Sequence, residues 1–93
     1  MFNKKDAIYA ASILGVKFDN YTLEEFLDGM NIELEHGTVD KLTNVTNDNI
    51  ITTAKIALAH LNEFPNYYNL EYGLRHFEEF LKSKLNNEKT DKI

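Results

Sequence analysis

Apolar residues recur along this chain at spacings of three and four, and alternation of apolar and polar positions is confined to Val16-Lys17-Phe18. That pattern predicts an all-α fold, a compact bundle of about four helices with a polar loop between the second and third. Helix one is expected to begin after Asn3 or Lys5 and to run through Ile8, Ala11 and Leu14, with Gly15 as its left-handed stop and Val16 and Phe18 tucked into the core. Thr22-Leu23-Glu24-Glu25 reads as a capping box, in which the Thr22 hydroxyl accepts from the Glu25 amide and the Glu25 carboxylate returns to Thr22. The helix it opens, over about 22–36, puts Leu23, Phe26, Leu27, Met30 and Leu34 on one stripe and is expected to end at Gly37.

From Thr38 to Asp48 the chain is polar and rich in Asn, Thr and Asp, residues whose side chains bond their own backbone in turns. Asn47 or Asp48 is expected to cap helix three, which carries Ile50, Ile51, Ala54, Ala57, Leu58 and Leu61 on a broad apolar face. Ile56 lies off that face, so helix three is expected to be the central one. Phe64-Pro65 ends it, because proline disfavours a helical residue before it and suits the first position of a new helix. Helix four is then expected over about Pro65 to Leu85, with Tyr67, Leu70, Leu74, Phe77 and Leu81 inward and Gly73 as a weakening residue within it. The division expected is a single helical domain over 1–85 and a disordered tail over 86–93.

Composition narrows the functions that such a bundle can serve. The chain has 93 residues, enough for one core, and its 43% hydrophobic content is ordinary for a folded domain. Cysteine is absent, which removes disulfides, thiolate chemistry and Cys-based zinc sites. A formal charge of −5 argues against a nucleic-acid partner, and no apolar run is long enough to span a bilayer, so no membrane partner is expected. No secretion signal is read at the start, and a cytoplasmic location is expected. All but one of the basic residues are lysine and asparagine is abundant, a bias expected of an AT-rich bacterial genome or its phages.

One constellation stands out as candidate chemistry. Helix two ends Glu33-Leu34-Glu35-His36 and helix three ends His60-Leu61-Asn62-Glu63, so each offers a His/Glu pair three residues apart. Such pairs on two helices are how bundles build metal sites, here suited to Zn, Fe or Mn on Glu33, His36, His60 and Glu63. Helical geometry places both pairs on flanks of their apolar stripes, and a histidine near a helix C-terminus beside an acid is also a simple cap and ion pair. Asn44, Thr46, Asn47 and Asp48 lack the acid density and glycine of a calcium loop. Tyr67, Tyr68 and Tyr72 form an aromatic cluster suited to packing or to binding a ring or peptide. No phosphate cradle and no Ser/His/Asp order is present.

Ile32-Glu33-Leu34-Glu35-His36-Gly37, Thr43-Asn44-Val45-Thr46, Lys55-Ile56-Ala57 with His60-Leu61-Asn62-Glu63, and Pro65-Asn66-Tyr67-Tyr68 together resemble an uncharacterised family of small bacterial and phage proteins. The resemblance covers roughly residues 13–72. It implies a shared helical fold and no particular reaction, and it joins Glu33, Glu35, His36, Lys55, His60, Glu63, Tyr67 and Tyr68 into one motif set. The function expected is a non-enzymatic helical domain that binds a protein or small ligand through those residues, with no cofactor. The alternative is a Glu/His metal domain of structural or hydrolytic role, and a third reading uses Lys55 and Arg75 as contacts for a small anion.

Overall fold

The computed structural model describes residues 1–91, with side chains to residue 86. It contains four helices, α1 (Lys4–Leu14), α2 (Leu23–Val39), α3 (Ile50–Glu63) and α4 (Leu74–Asp91), and no strand among the described residues. The all-α reading therefore holds, and Val16-Lys17-Phe18 is coil, with Phe18 in the left-handed region at φ 56°.

The N-terminal caps are set by local side chains. Asn3 and Asp6 form a capping box on α1, and Gly15 closes that helix at φ 69° with its amide on the Ala11 carbonyl. The Thr22–Glu25 box opens α2 as the sequence predicts. The face that α1 buries is Ala7, Ala10 and Ala11, whereas Ile8 is half-exposed. Three small side chains let α1 sit close on its neighbours, and the larger residue next to them turns outward. Phe26 and Met30 of α2 and Ala54, Ala57 and Leu61 of α3 complete a core in which α1, α2 and α3 each pack on the other two. Ile56 is only partly covered, and α3 is no more central than α2.

Gly37 does not end α2, which continues to Val39 and is capped by Asp40. The glycine is a packing position: a Cβ there would stand 2.9 Å from Asn44 Oδ1 and 3.2 Å from Thr46 Oγ1. The loop lies against it and is held by its own side chains, as Asn44 Oδ1 accepts from the Thr46 and Asn47 amides and Thr46 Oγ1 from the Asp48 amide. Thr46 is buried as a result. Asn47 and Asp48 both adopt positive φ to complete the turn, so the cap of α3 falls to Asn49, one residue beyond those expected.

The largest departure from the sequence reading lies after Pro65. Residues 65–73 form a string of turns, and α4 starts only at Leu74. Asn69 Oδ1 accepts from the Glu71 and Tyr72 amides, and the Leu74 amide returns to the Tyr67 carbonyl at 2.6 Å. Gly73 is what permits this closure, since a Cβ would collide with the Tyr67 carbonyl and stand 2.6 Å from both Asn69 N and Asn69 O. Local side-chain bonds have displaced the first turns of the expected helix.

Of the residues expected inward on helix four, Tyr67 and Leu74 touch the core, while Leu70, Phe77 and Leu81 are 67%, 60% and 63% exposed. The α4 backbone packs on none of the other helices among the described residues. The molecule is accordingly elongated, 52 × 29 × 20 Å, with a radius of gyration of 15.1 Å against about 12 Å for a compact chain of this length. Helix α4 passes Leu85 and reaches Asp91, within the stretch expected as a tail. Residues 92–93 of that tail lie outside the described residues.

Candidate functional site

Three elements converge on one buried carboxylate. Glu33 sits on the inner side of α2, His60 in the last turn of α3, and Tyr68 in the turn segment that follows. Gly29, one turn before Glu33, makes the approach possible: a Cβ there would stand 2.5 Å from Tyr68 Cε2 and 2.7 Å from its Cδ2. The Tyr68 ring thus lies close against α2, 4% exposed, and its hydroxyl donates to Glu33 Oε2 at 2.6 Å. His60 Nδ1 lies 3.1 Å from the same oxygen and 3.0 Å from the Tyr68 hydroxyl. Since the tyrosine spends its proton on Glu33, the network assigns a proton to His60 Nδ1, which then donates to both oxygens. No buried side-chain polar atom among the described residues lacks a partner.

Around this centre the rings are layered. Tyr67 stacks on His60 at 4.3 Å between centroids and 11° between planes, and meets Tyr68 edge-on at 4.9 Å. His36 Nδ1 stands 3.6 Å from Glu33 Oε1 and its Nε2 3.8 Å from Glu78 of α4, so an exposed histidine bridges the buried acid to the projecting helix. Burial raises the Tyr68 hydroxyl well above the ordinary tyrosine range, reinforced by its bond to Glu33, the Glu33 charge and Tyr67. Burial also raises Tyr67, with the charges of Glu33, Glu78 and Glu63 adding to it.

Of the residues singled out in the sequence, Glu33, His36, His60, Tyr67 and Tyr68 are brought together. Lys55 and Glu35 are exposed outside this contact network, and Glu63 reaches it only through its field on Tyr67. Glu33, His36 and His60 of the metal constellation lie together, and among the described residues no group of three or more His, Asp and Glu is placed to hold a metal ion. Glu33 Oε2 is already committed to Tyr68 and His60 Nδ1 is turned toward the acid. A histidine oriented by a carboxylate is the geometry of a general base. Here Tyr67 covers one face of the imidazole, and the hydrogen bonds of its Nδ1 go to Glu33 and Tyr68.

Beside the network lies a feature that sequence reasoning reached only in part, through the Tyr67, Tyr68 and Tyr72 cluster. Phe64, Tyr67, Tyr72, Leu74 and Phe77 line a cavity of about 360 Å³, with Gly73 at its base. Phe64 and Tyr72 are each about half exposed and Phe77 more so. The available signal was the density of rings between Phe64 and Phe77, which a continuous helix would have spread over its circumference and which the turn segment gathers on one side. A second surface groove joins Glu35 and His36 to Arg75, Glu78, Glu79 and Lys82 across α2 and α4.

Comparison with curated proteins and with solved structures returns no significant match. No described helix is long and apolar enough to cross a membrane. Residues 7–80, which run from within α1 through α2, α3, the Glu33–His60–Tyr68 network and the aromatic cleft, match one family model. The chain belongs to that family, which is described as a protein of unknown function (DUF5661).

Proposed function

We propose that this domain is a non-enzymatic binding module that takes an apolar side chain of a protein segment into the aromatic cleft between Phe64 and Phe77. The observation that carries this reading is a division of labour. The motif acids, histidine and tyrosine satisfy one another internally, while the rings beside them stay exposed around a cavity of about 360 Å³, a size that suits a small ligand or side chain. Glu33, His60 and Tyr68 act as a clamp that fixes the turn segment, and Tyr67 carries that rigidity to the cleft wall. Asn66 supplies a polar group at the cleft wall, while His36, Glu35, Lys55 and Glu63 lie outside its lining. The asparagine- and lysine-rich composition supports a bacterial or phage setting, and the acidic charge supports a protein partner over nucleic acid.

A displayed random-peptide library panned on the purified domain tests this. Enriched peptides should carry an aromatic or branched apolar residue, and their binding should be lost with Phe64→Ala and Tyr72→Ala and kept with Lys55→Gln. Absence of enrichment over an unrelated helical domain would sink the proposal. On the same reading a chelator leaves the melting temperature unmoved; a fall, together with stoichiometric metal by elemental analysis, would restore the Glu/His metal alternative.

A further inference from the structure

We propose that the protein segment held by the aromatic cleft is basic, carrying lysine or arginine beside its apolar residue and placing that cation in an acidic groove that adjoins the cleft at Tyr72. The inference rests on the cleft reading and adds the chemistry of the occupant. The groove is built by the same close approach that buries Tyr68. Gly29 lets the turn segment lie close against α2. Glu25 and Asp28, three residues apart and just ahead of that glycine, then share a surface with Leu70, Glu71 and Tyr72 of the segment. Together they line a second cavity of about 370 Å³. Tyr72 lines this cavity and the cleft alike, so the two adjoin. Asn69 fixes the junction, since its side chain accepts from the amides of both Glu71 and Tyr72.

Charge selects the occupant. Glu25 is partly engaged, with Oε1 accepting from the Thr22 amide and hydroxyl. The Asp28 and Glu71 carboxylates are exposed and have no hydrogen-bond or ion-pair partner among the described residues. Three carboxylates on one groove repel one another, and a partner's cation relieves that repulsion. Among the described residues no lysine or arginine lines either cavity. Lys4 is paired with Glu24, Arg75 and Lys82 line the groove between α2 and α4, and Lys84 lies over Phe80. Negative charge reaches the cleft wall as well, where burial and then the charges of Glu33, Glu78 and Glu63 hold the Tyr67 hydroxyl above its ordinary range. The Tyr72 ring between the two cavities suits a cation laid over it. The same charges reject an acidic segment, which makes them a device of specificity.

The test uses the full chain and labelled peptides of one design, a central phenylalanine flanked on both sides by lysine, by serine or by glutamate, followed by fluorescence anisotropy. The lysine-flanked peptide should bind about fivefold tighter than the serine-flanked one at low salt, and the glutamate-flanked one more weakly than either. That advantage should vanish at about 0.5 M NaCl. Asp28→Asn combined with Glu71→Gln should bring the lysine and serine peptides to equal affinity, while Glu79→Gln, in the groove between α2 and α4, keeps them apart. Circular dichroism checks that the variants fold, and the salt series needs no variant. Equal binding of all three peptides to the wild type overturns this inference and leaves the cleft reading standing; binding of none overturns both. A lysine preference that survives in the double variant overturns the placement of the cation. So does equal binding of a lysine-flanked peptide with alanine for phenylalanine, which would mean that the groove takes cations without the cleft.

Discussion

The three-helix core and the α4 arm use their apolar residues in opposite ways. In the core, side chains of modest size fill the space between α1, α2 and α3: Ala7, Ala10, Ala54 and Ala57 are fully buried beside Phe26, Met30 and Leu61. The one acid drawn into that region, Glu33, is met by two donors. In the arm, Phe77, Phe80, Leu81 and Leu85 are larger on average and remain in solvent. The comparison teaches that residue volume alone does not decide burial. Alanines and glycines allow close approach, so the core can bury its few large rings, whereas the turn at 65–73 carries α4 away before its stripe reaches another helix. Stability should therefore be concentrated in the core and its clamp, and recognition in the cleft.

The sharpest way to break this contrast is to empty the core. Phe26→Ala removes a fully buried ring at the centre of the α1–α2–α3 packing and should cost about 3–5 kcal/mol in urea unfolding, a large share of a small domain's total. A loss below about 1 kcal/mol would show that the core collapses freely and that the contrast is overdrawn. The clamp comes next. Glu33→Ala leaves the buried Tyr68 hydroxyl and the inward edge of His60 without their common acceptor, at a cost of about 2–3 kcal/mol. Gly29→Ala attacks the same site sterically by pushing a methyl into the Tyr68 ring, for about 1–3 kcal/mol. If the two losses fully add in the double variant, Glu33 and Gly29 do not act through one tyrosine, since shared contacts should couple them.

What the sequence makes legible follows the range of the interactions involved. The caps at Asn3 and Thr22 and the stop at Gly15 depend on residues three or four apart, and all are readable. Gly37 and Gly73 look like a terminator and a weak helical position, because their reason lies in contacts across turns, with Asn44 and Thr46 and with the Tyr67 carbonyl. The start of α4 is misplaced on the same ground: Asn69 folds its own turn in a stretch whose apolar spacing still reads as helical. At the site, the histidines, acids and tyrosines are visible as types, and Glu33, His36, His60, Tyr67 and Tyr68 do meet. Their partnership is not visible. Spacing within α2 and within α3 pairs Glu33 with His36 and His60 with Glu63, while the fold pairs Glu33 with His60 and Tyr68, 27 and 35 residues away.

A milder probe of the clamp uses pH. Tyr68→Phe keeps the ring and removes the bond to Glu33, costing about 1–2 kcal/mol at neutral pH. The Tyr68 hydroxyl ionises with more difficulty in the folded chain than in the unfolded one, so its contribution is fully present below the unfolded value of about 10 and is lost as pH rises beyond it. Thermal melts from neutral to strongly alkaline pH should show the wild type losing stability above about pH 10, with a shallower loss in Tyr68→Phe. Tyr67 and Tyr21 are raised in the same direction and should leave a residual slope. Identical slopes in the two proteins would mean that Tyr68 is not the buried hydroxyl of the network.

The smallest expected effect is the one that bears most directly on the arm. Leu81→Ala, measured by urea unfolding, should change stability by no more than about 0.5 kcal/mol, the range of ordinary surface substitutions. The side chain is 63% exposed and lies on a helix whose backbone packs on none of the other helices among the described residues, so shortening it opens no cavity. Intrinsic propensity adds only a slight helical gain for alanine over leucine. An unchanged stability fits an arm that stands clear of the three-helix core. A loss approaching that of Phe26→Ala would mean that in solution α4 folds back and buries Leu81 against its own core, and the distinction between the two regions would disappear.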